Sequence, residues 1–287
     1  MRAARLAPAK LNLFLHVGQL QADGYHPIAS WMAFADIGDT LTLSPAEAWS
    51  FEVGGPFAAE IGPGENLVEQ AARRLFERAG AAPGGRLALD KQLPVAAGLG
   101  GGSSDAAAAL RLLNEALPQP LPEPALVEIA AALGADGPAC LAAQPVLATG
   151  WGERLQPAPE TPPLSVVLVN PRRPSSTGAV YAAYDAGRPA KADMPRLPAR
   201  FDDARGVAAA LAAMRNDLEG PAGRLESAIL DVLAALRARP ETLLARMSGS
   251  GATCFALCED EASSAALADA LAAARPDWWV VPARLKK

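Results

Sequence analysis

The sequence predicts an α+β protein built as two domains of unequal size. Three observations carry that expectation. The chain has 287 residues, more than one typical hydrophobic core supports. Strand-like and helix-like stretches alternate along it and end in a strand–helix–strand pattern over 254–281. Proline becomes dense at Pro157, Pro159, Pro162 and Pro163, which places a boundary there and divides the chain into 1–157 and 158–287.

Composition narrows the function classes. Hydrophobic residues are 51% and charged residues 20%, a globular balance in which alanine-rich helices are expected. The formal net charge is -5 with no long run of one sign, so a nucleic-acid surface is not predicted. An anionic ligand would have to be held by backbone N–H groups and a few placed cations. Cys140, Cys254 and Cys258 are too sparse for a disulfide framework. With His16 and His26 the only histidines, a structural zinc site is not expected either. Three thiols suggest a reducing compartment. The apolar stretch near the N-terminus is broken by Asn12 and His16, so it reads as neither signal peptide nor membrane span, and a cytoplasmic protein is expected.

The elements follow in order. From Lys10 to Val17 the residues alternate, with Leu11, Leu13, Leu15 and Val17 on one face and Lys10, Asn12, Phe14 and His16 on the other. This predicts a half-buried strand. Asp23-Gly24 predicts a turn before Tyr25-His26. Trp31–Phe34 and Thr40–Leu43 read as two further strands, Glu65–Arg78 as a helix and Arg86–Asp90 as a strand. A glycine loop then leads into the helix former Ala106–Leu113, with Ser103, Ser104 and Asp105 suited to its start. Pro122–Leu133 is a second helix stopped by Gly134. Leu164–Val169 is an apolar strand, 188–200 a surface loop with a helix after it, Cys254–Cys258 a strand, Glu261–Ala274 a helix and Trp278–Val281 a strand.

The loop Pro94-Val95-Ala96-Ala97-Gly98-Leu99-Gly100-Gly101-Gly102-Ser103-Ser104 carries the strongest functional signal. Glycine permits positive φ and close approach of a ligand to the backbone. The helix start that follows directs free N–H groups and a positive dipole end into the loop, which suits a di- or triphosphate. A dinucleotide-binding G-x-G-x-x-G would need a glycine where Ser103 stands, and an acidic residue ending a second parallel strand. The Walker pattern and the protein-kinase H-R-D and D-F-G elements are absent. A different kinase architecture is therefore expected, with ATP as donor.

The loop resembles the second motif of the galactokinase–homoserine kinase–mevalonate kinase–phosphomevalonate kinase (GHMP) superfamily. Pro8-Ala9-Lys10-Leu11-Asn12-Leu13-Phe14-Leu15 is similar to its first motif and Ser248-Gly249-Ser250-Gly251-Ala252-Thr253 to its third. Asp23-Gly24-Tyr25-His26, Gly134-Ala135-Asp136 and Asn216-Asp217 fall in order between them. Within the superfamily this set looks like that of the kinases acting on a methylerythritol that carries a cytidine diphosphate group. Gly137 and Ala139 depart from that pattern, at positions that read as packing behind Asp136.

The resemblance implies a two-domain GHMP kinase fold. Its N-terminal part would be a mixed α/β nucleotide-binding domain and its C-terminal part ferredoxin-like, with the active site in the cleft between them. It implies ATP-dependent phosphorylation of the 2-hydroxyl of the cytidine-diphosphate-linked methylerythritol, in the non-mevalonate route to isoprenoids, with Mg²⁺ expected and its ligands unassigned. No nucleic-acid or membrane partner is implied, and a monomer or weak homodimer is expected. A kinase of another small alcohol (mevalonate, homoserine or a sugar) or an inactive nucleotide-binding protein are the alternatives.

Site residues follow from both sources. On pattern alone Asp136 reads equally as a turn or capping aspartate and as a general base. Lys10 reads either as a solvated lysine or as charge compensation beside a carboxylate. The resemblance assigns the two as the catalytic pair. It places Pro94 to Ser104 on ATP, and Asn66 and Lys91 on its adenine or ribose side. Asp105 would orient a loop hydroxyl or help hold Mg²⁺, or else only stabilise a first helical turn. Asn12, Tyr25, His26, Thr177 and Tyr181 are implied on the substrate side, where flat aromatic rings suit stacking on cytosine and His26 suits base selection by hydrogen bonds.

Overall fold

A computed structural model of the chain describes every residue except Met1, Asp23, Glu65, Arg188 and Lys287. The elements are β1 (Ala3–Val17), β2 (Ile28–Ser44), β3 (Ser50–Gly54), α1 (Leu67–Ala79), β4 (Arg86–Asp90), α2 (Gly101–Ala116), α3 (Glu123–Leu133), α4 (Gly137–Ala142), β5 (Val146–Thr149) and β6 (Arg154–Pro157). The chain continues with β7 (Leu164–Asn170), α5 (Thr177–Asp185), α6 (Ala204–Ala212), α7 (Glu219–Leu225), α8 (Ala228–Arg237), β8 (Thr242–Met247), β9 (Cys254–Cys258), α9 (Glu261–Ala274) and β10 (Trp279–Leu285). Among the described residues, no helix is long and apolar enough to cross a membrane.

Two compact units share the chain discontinuously. The first takes the segment up to Lys10, Ile37–Val95 and Gly100–Ala143. The second takes Leu11–Asp36, Ala96–Leu99 and the chain from Gln144 onward.

In the first unit the end of β2 pairs antiparallel with β4, Thr40 opposite Asp90 and Ser44 opposite Arg86, and β3 joins β4 in parallel. Helices α1 to α4 pack on one another. Helix α1 starts on a capping box: Asn66 Oδ1 accepts the Val68 N–H at 2.9 Å and Glu69 accepts the Asn66 N–H at 3.4 Å. It stops at Gly80 in the left-handed region.

In the second unit the strand order is β10-β7-β9-β8, with β7, β9 and β8 each antiparallel to the neighbour before it. Numbered from β7, that is order 4-1-3-2, the split βαβ arrangement expected for the C-terminal part. Helices α8 and α9 pack on this sheet. The start of β2 pairs with β5, and β5 with β6.

Several expectations need correction. The strand from Lys10 to Val17 is buried on both faces, so its polar residues Lys10, Asn12 and His16 are interior. Trp31–Phe34 and Thr40–Leu43 are one strand. Gly38 keeps it extended because a Cβ there would lie 2.0 Å from Ala7 O, and the polar residue beside it, Asp39, is buried. Helix α2 begins at Gly101, two residues ahead of Ser103, on the left-handed cap Gly100; Asp105 therefore stands in its second turn. The other strand and helix ends differ by a few residues, as terminal assignments do. The expected turn at Asp23 lies outside the described residues.

Candidate active site

In the first unit the two expected catalytic side chains meet. Lys10 ends its segment of β1 with its side chain buried, and Asp136 stands at the start of α4. Lys10 Nζ lies 3.1 Å from Asp136 Oδ2. Asp136 makes no side-chain cap to its helix, so the capping role open to it on pattern is not what the carboxylate does. Gly100 closes over the pair: a Cβ there would be 3.0 Å from Lys10 Cε and 3.6 Å from Asp136 Oδ2. Its φ of +62° opens α2, whose first N–H groups have no acceptor within the helix. Behind the pair, a Cβ at Gly137 would lie 2.0 Å from Ala130 O, so the departure noted there lets α4 start tight against α3. An ammonium, a carboxylate and a row of free N–H groups on one turn can hold a polyanion beside a proton acceptor.

Lys91 lies beneath the same turn. Its Nζ contacts Asp39 Oδ2 at 2.5 Å and Asp105 Oδ2 at 2.7 Å, and all three side chains are buried. Asp39 Oδ1 also accepts the N–H groups of Gln92 and Leu93. Burial works against the Lys91 charge, yet the two carboxylates outweigh it and its pKa is raised. Burial raises the Asp105 carboxyl to about 7, with Lys91 opposing and Asp39 adding to the rise. Asp105 Oδ1 is buried and, among the described residues, has no hydrogen-bond partner. A Cβ at Gly101 would sit 3.1 Å from Lys91 Nζ, so the triad braces the start of α2. Asp105 is thus held by a buried ion pair, not by first-turn stabilisation.

Ser104 donates from Oγ to Cys140 Sγ at 3.4 Å. The Cys140 thiol is pushed up to about 12 by burial, with the Asp136 charge adding to the rise. It is a packed thiol with little thiolate character.

In the second unit two glycine turns pack backbone to backbone. The Ser248 hydroxyl donates to Gly98 O at 2.9 Å and accepts the Asn12 N–H at 3.2 Å, while Thr253 N–H donates to Ala97 O at 3.1 Å. A Cβ at Gly98 would lie 2.3 Å from Ser248 O. Asn216 Nδ2 donates to both Met247 O and Gly249 O at 2.8 Å, so Asn216 anchors the second turn. Asn12 donates from Nδ2 to Ser30 Oγ at 2.8 Å. Pro94 and Val95 belong to the first unit and Ala96 to Leu99 to the second. Asn66 is occupied as the α1 cap described above.

Helix α5 carries Thr177 and Tyr181, two of the expected substrate-side residues. Thr177 and Tyr181 are four residues apart on it, and share one face. Thr177 Oγ1 is 2.8 Å from Ser250 Oγ in the second glycine turn. The Tyr181 ring lies 4.8 Å from that of His26, centroid to centroid. His26 Nε2 is 2.8 Å from Asp185 Oδ1, one helical turn beyond Tyr181. Tyr25 is exposed, its ring 5.8 Å from that of Trp151. Sequence reading missed Asp39, Asp185 and Trp151. The available signal for Asp185 was the continued spacing of four from Thr177 through Tyr181; for Asp39 and Trp151 there was none.

Comparison with known proteins identifies the family. The model of the GHMP kinases N terminal domain matches residues 66–144, and that of the GHMP kinases C terminal matches 201–277. A 4-diphosphocytidyl-2-C-methyl-D-erythritol kinase of Caulobacter vibrioides (strain NA1000 / CB15N) is 56% identical, over 99% of this chain and 100% of the relative. A crystal structure of a 4-(cytidine 5'-diphospho)-2C-methyl-D-erythritol kinase superposes with a TM-score of 0.79 at 35% identity, covering 99% of this chain and 100% of the other. A homoserine kinase of Cytophaga hutchinsonii shares the fold at a TM-score of 0.69 and 16% identity, over 98% and 94% of the two chains. With both halves of the family pattern matched in order and full-length likeness on top of them, the chain belongs to the GHMP kinases, and is an ATP-dependent kinase of that two-domain fold.

Proposed function

We propose that the protein transfers the γ-phosphoryl group of ATP to the 2-hydroxyl of 4-diphosphocytidyl-2-C-methyl-D-erythritol, releasing ADP and the 2-phosphate, in the non-mevalonate route to isopentenyl diphosphate. The full-length likeness to kinases of that name supports the substrate. The observation that carries the chemistry is the Lys10–Asp136 pair beneath Gly100.

Phosphoryl transfer needs a held donor, an oriented acceptor and charge compensation. The loop from Pro94 to Ser104 supplies the first through backbone N–H groups at the start of α2. Asp136 Oδ2 accepts the proton of the attacking hydroxyl. Lys10, 3.1 Å from that carboxylate, stabilises the attacking oxygen as its proton leaves. Tyr25 and Tyr181 offer ring faces for cytosine, with His26 as the hydrogen-bonding group and Asn12 and Thr177 toward the rest of the substrate. Asn66 and Lys91 act on the nucleoside side through the elements they brace.

Mg²⁺ fits one feature of these residues: the buried, unpartnered Asp105 Oδ1 is an oxygen ligand in want of a partner. Asp105 would hold the ion, with phosphate oxygens and water filling the rest of its shell. Bound there, it would neutralise charge on the β- and γ-phosphates. The domain division at 157/158 belongs to this reading as well.

The test is ADP release by purified protein offered the cytidine-diphosphate substrate, mevalonate and homoserine separately. Turnover with the first alone is expected. Turnover only with mevalonate or homoserine would overturn the substrate assignment, and ATP binding without any turnover would favour an inactive nucleotide-binding protein.

A further inference from the structure

We propose that Asp185 is a positioning residue that sets base selection by fixing the His26 ring; this rests on the cytidine-substrate reading above. Helix α5 repeats a functional residue every fourth position: Thr177 on the second glycine turn, Tyr181 on the His26 ring, and Asp185 on His26 Nε2. Spacing of four keeps them on one stripe of the helix. Asp185 is its last helical residue, so the carboxylate projects where the helix ends.

The chemistry follows from the partner. A carboxylate accepts hydrogen bonds and cannot donate them. At 2.8 Å from Asp185 Oδ1, Nε2 therefore carries the proton. In the neutral ring Nδ1 is then the acceptor, and among the described residues it makes no hydrogen bond. The ring cannot swing away, because Tyr181 lies 4.8 Å from it on one side and Tyr184 6.1 Å on another. Tyr184 is itself held, its hydroxyl donating to Val17 O and accepting the Ala190 N–H. A fixed acceptor suits the 4-amino group of cytosine, which donates. It opposes the 4-oxo group of uracil, which can only accept. Removing Asp185 frees the imidazole to present either tautomer, and the discrimination between the two pyrimidines falls while the phosphoryl-transfer groups are untouched.

Two measurements test this. The first is the affinity of the wild-type protein, Asp185→Ala, Asp185→Asn and Asp185→Glu for CDP and UDP, by titration calorimetry, alongside KM and kcat with the cytidine substrate and its uridine analogue. Asp185 is about one-third exposed, so the preference for cytidine should fall about tenfold in Asp185→Ala and Asp185→Asn, the worth of one hydrogen bond. The loss should appear in KM and in CDP affinity and not in the KM for ATP, with partial recovery in Asp185→Glu. The second needs no variant: nitrogen NMR of the His26 ring in wild-type protein should give the Nε2–H tautomer, with Nδ1 shifting on adding CDP and not UDP. Unchanged preference in folded variants, or an Nδ1–H tautomer in the wild type, would overturn the role of Asp185. Clear CDP preference without turnover of the cytidine substrate would instead overturn the substrate reading and leave the Asp185–His26 device standing.

Discussion

Gly98 and Gly102 stand four residues apart in one loop, yet alanine at the two positions should act in opposite directions. At Gly98 the added methyl would lie 2.3 Å from Ser248 O, 2.8 Å from Gly251 O and 2.9 Å from Gly251 N, at a φ of +73°. A left-handed backbone costs an L-residue about 1–2 kcal/mol. Forcing a packed region apart costs about 1–3 kcal/mol, and here the obstructing atoms are backbone and cannot swing aside. Together the substitution should destabilise by about 2–5 kcal/mol, a large part of the about 5–15 kcal/mol that holds a typical protein folded. At Gly102 the nearest atom is Leu67 Cδ1 at 3.3 Å, the end of a flexible side chain, and the residue lies in the first turn of α2. Alanine there should gain part of the about 0.5–1 kcal/mol by which it exceeds glycine in a helix. Urea unfolding of both variants, analysed for midpoint and slope, measures the difference. Since Gly98 carries the carbonyl that Ser248 holds, its variant should also bind ATP more weakly. Equal stability of the two variants would refute the claim that the glycine turns meet backbone to backbone.

Other outcomes follow from the same geometry. Asp136→Ala should lower kcat by about 10²–10⁴ while ATP binding measured by calorimetry persists; undiminished turnover would remove Asp136 from the chemistry. Cys140 should stay silent to a thiol-specific reagent at about pH 8 until the protein is unfolded, because its thiol is held far above the ordinary range; rapid labelling of the native protein would contradict its burial. Asp105 has a folded pKa above its ordinary value of 3.8, so its contribution to stability is complete below that value and is lost as pH rises toward about 7. Wild-type Tm should therefore drop relative to Asp105→Asn across that window, and parallel Tm curves would show that the carboxyl is not displaced upward.

How far the sequence could be read depended on whether a residue's role was local. The glycine loop, the helix formers after it and the strand Cys254–Cys258 announce themselves within a few residues, and each is found where its pattern placed it. The end of the chain was equally legible, because strand, helix and strand there alternate without interruption. Helix α7 was missed because Gly220, Pro221 and Gly223 depress its propensity, and β8 because Thr242–Met247 has no alternation. Tertiary packing overrode both signals. The Lys10 strand was placed correctly but read as half exposed, since period-two alternation of apolar and polar residues does not distinguish solvent from a polar interior.

The buried charges show why the site was only partly legible. Asp36, Gly38 and Asp39 stand between the two stretches that read as separate strands and fall within β2. Asp39 is instead spent inside the fold: its Oδ2 meets Lys91 and its Oδ1 takes two backbone N–H groups. A carboxylate can be buried at that cost only when cations and donors meet it, and those come from residues more than fifty positions away. No local pattern encodes such a partner. His26 meets Asp185, a residue 159 positions further along, whose spacing of four on α5 is visible in the sequence but does not name His26 as its partner. Motifs therefore disclose which groups do chemistry, whereas the residues that orient them become visible only when the chain has been folded back on itself. Asp39 and Asp185 are of this second kind, one under the start of α2 and one at the end of α5, and each converts a side chain the sequence could name into one with a defined direction.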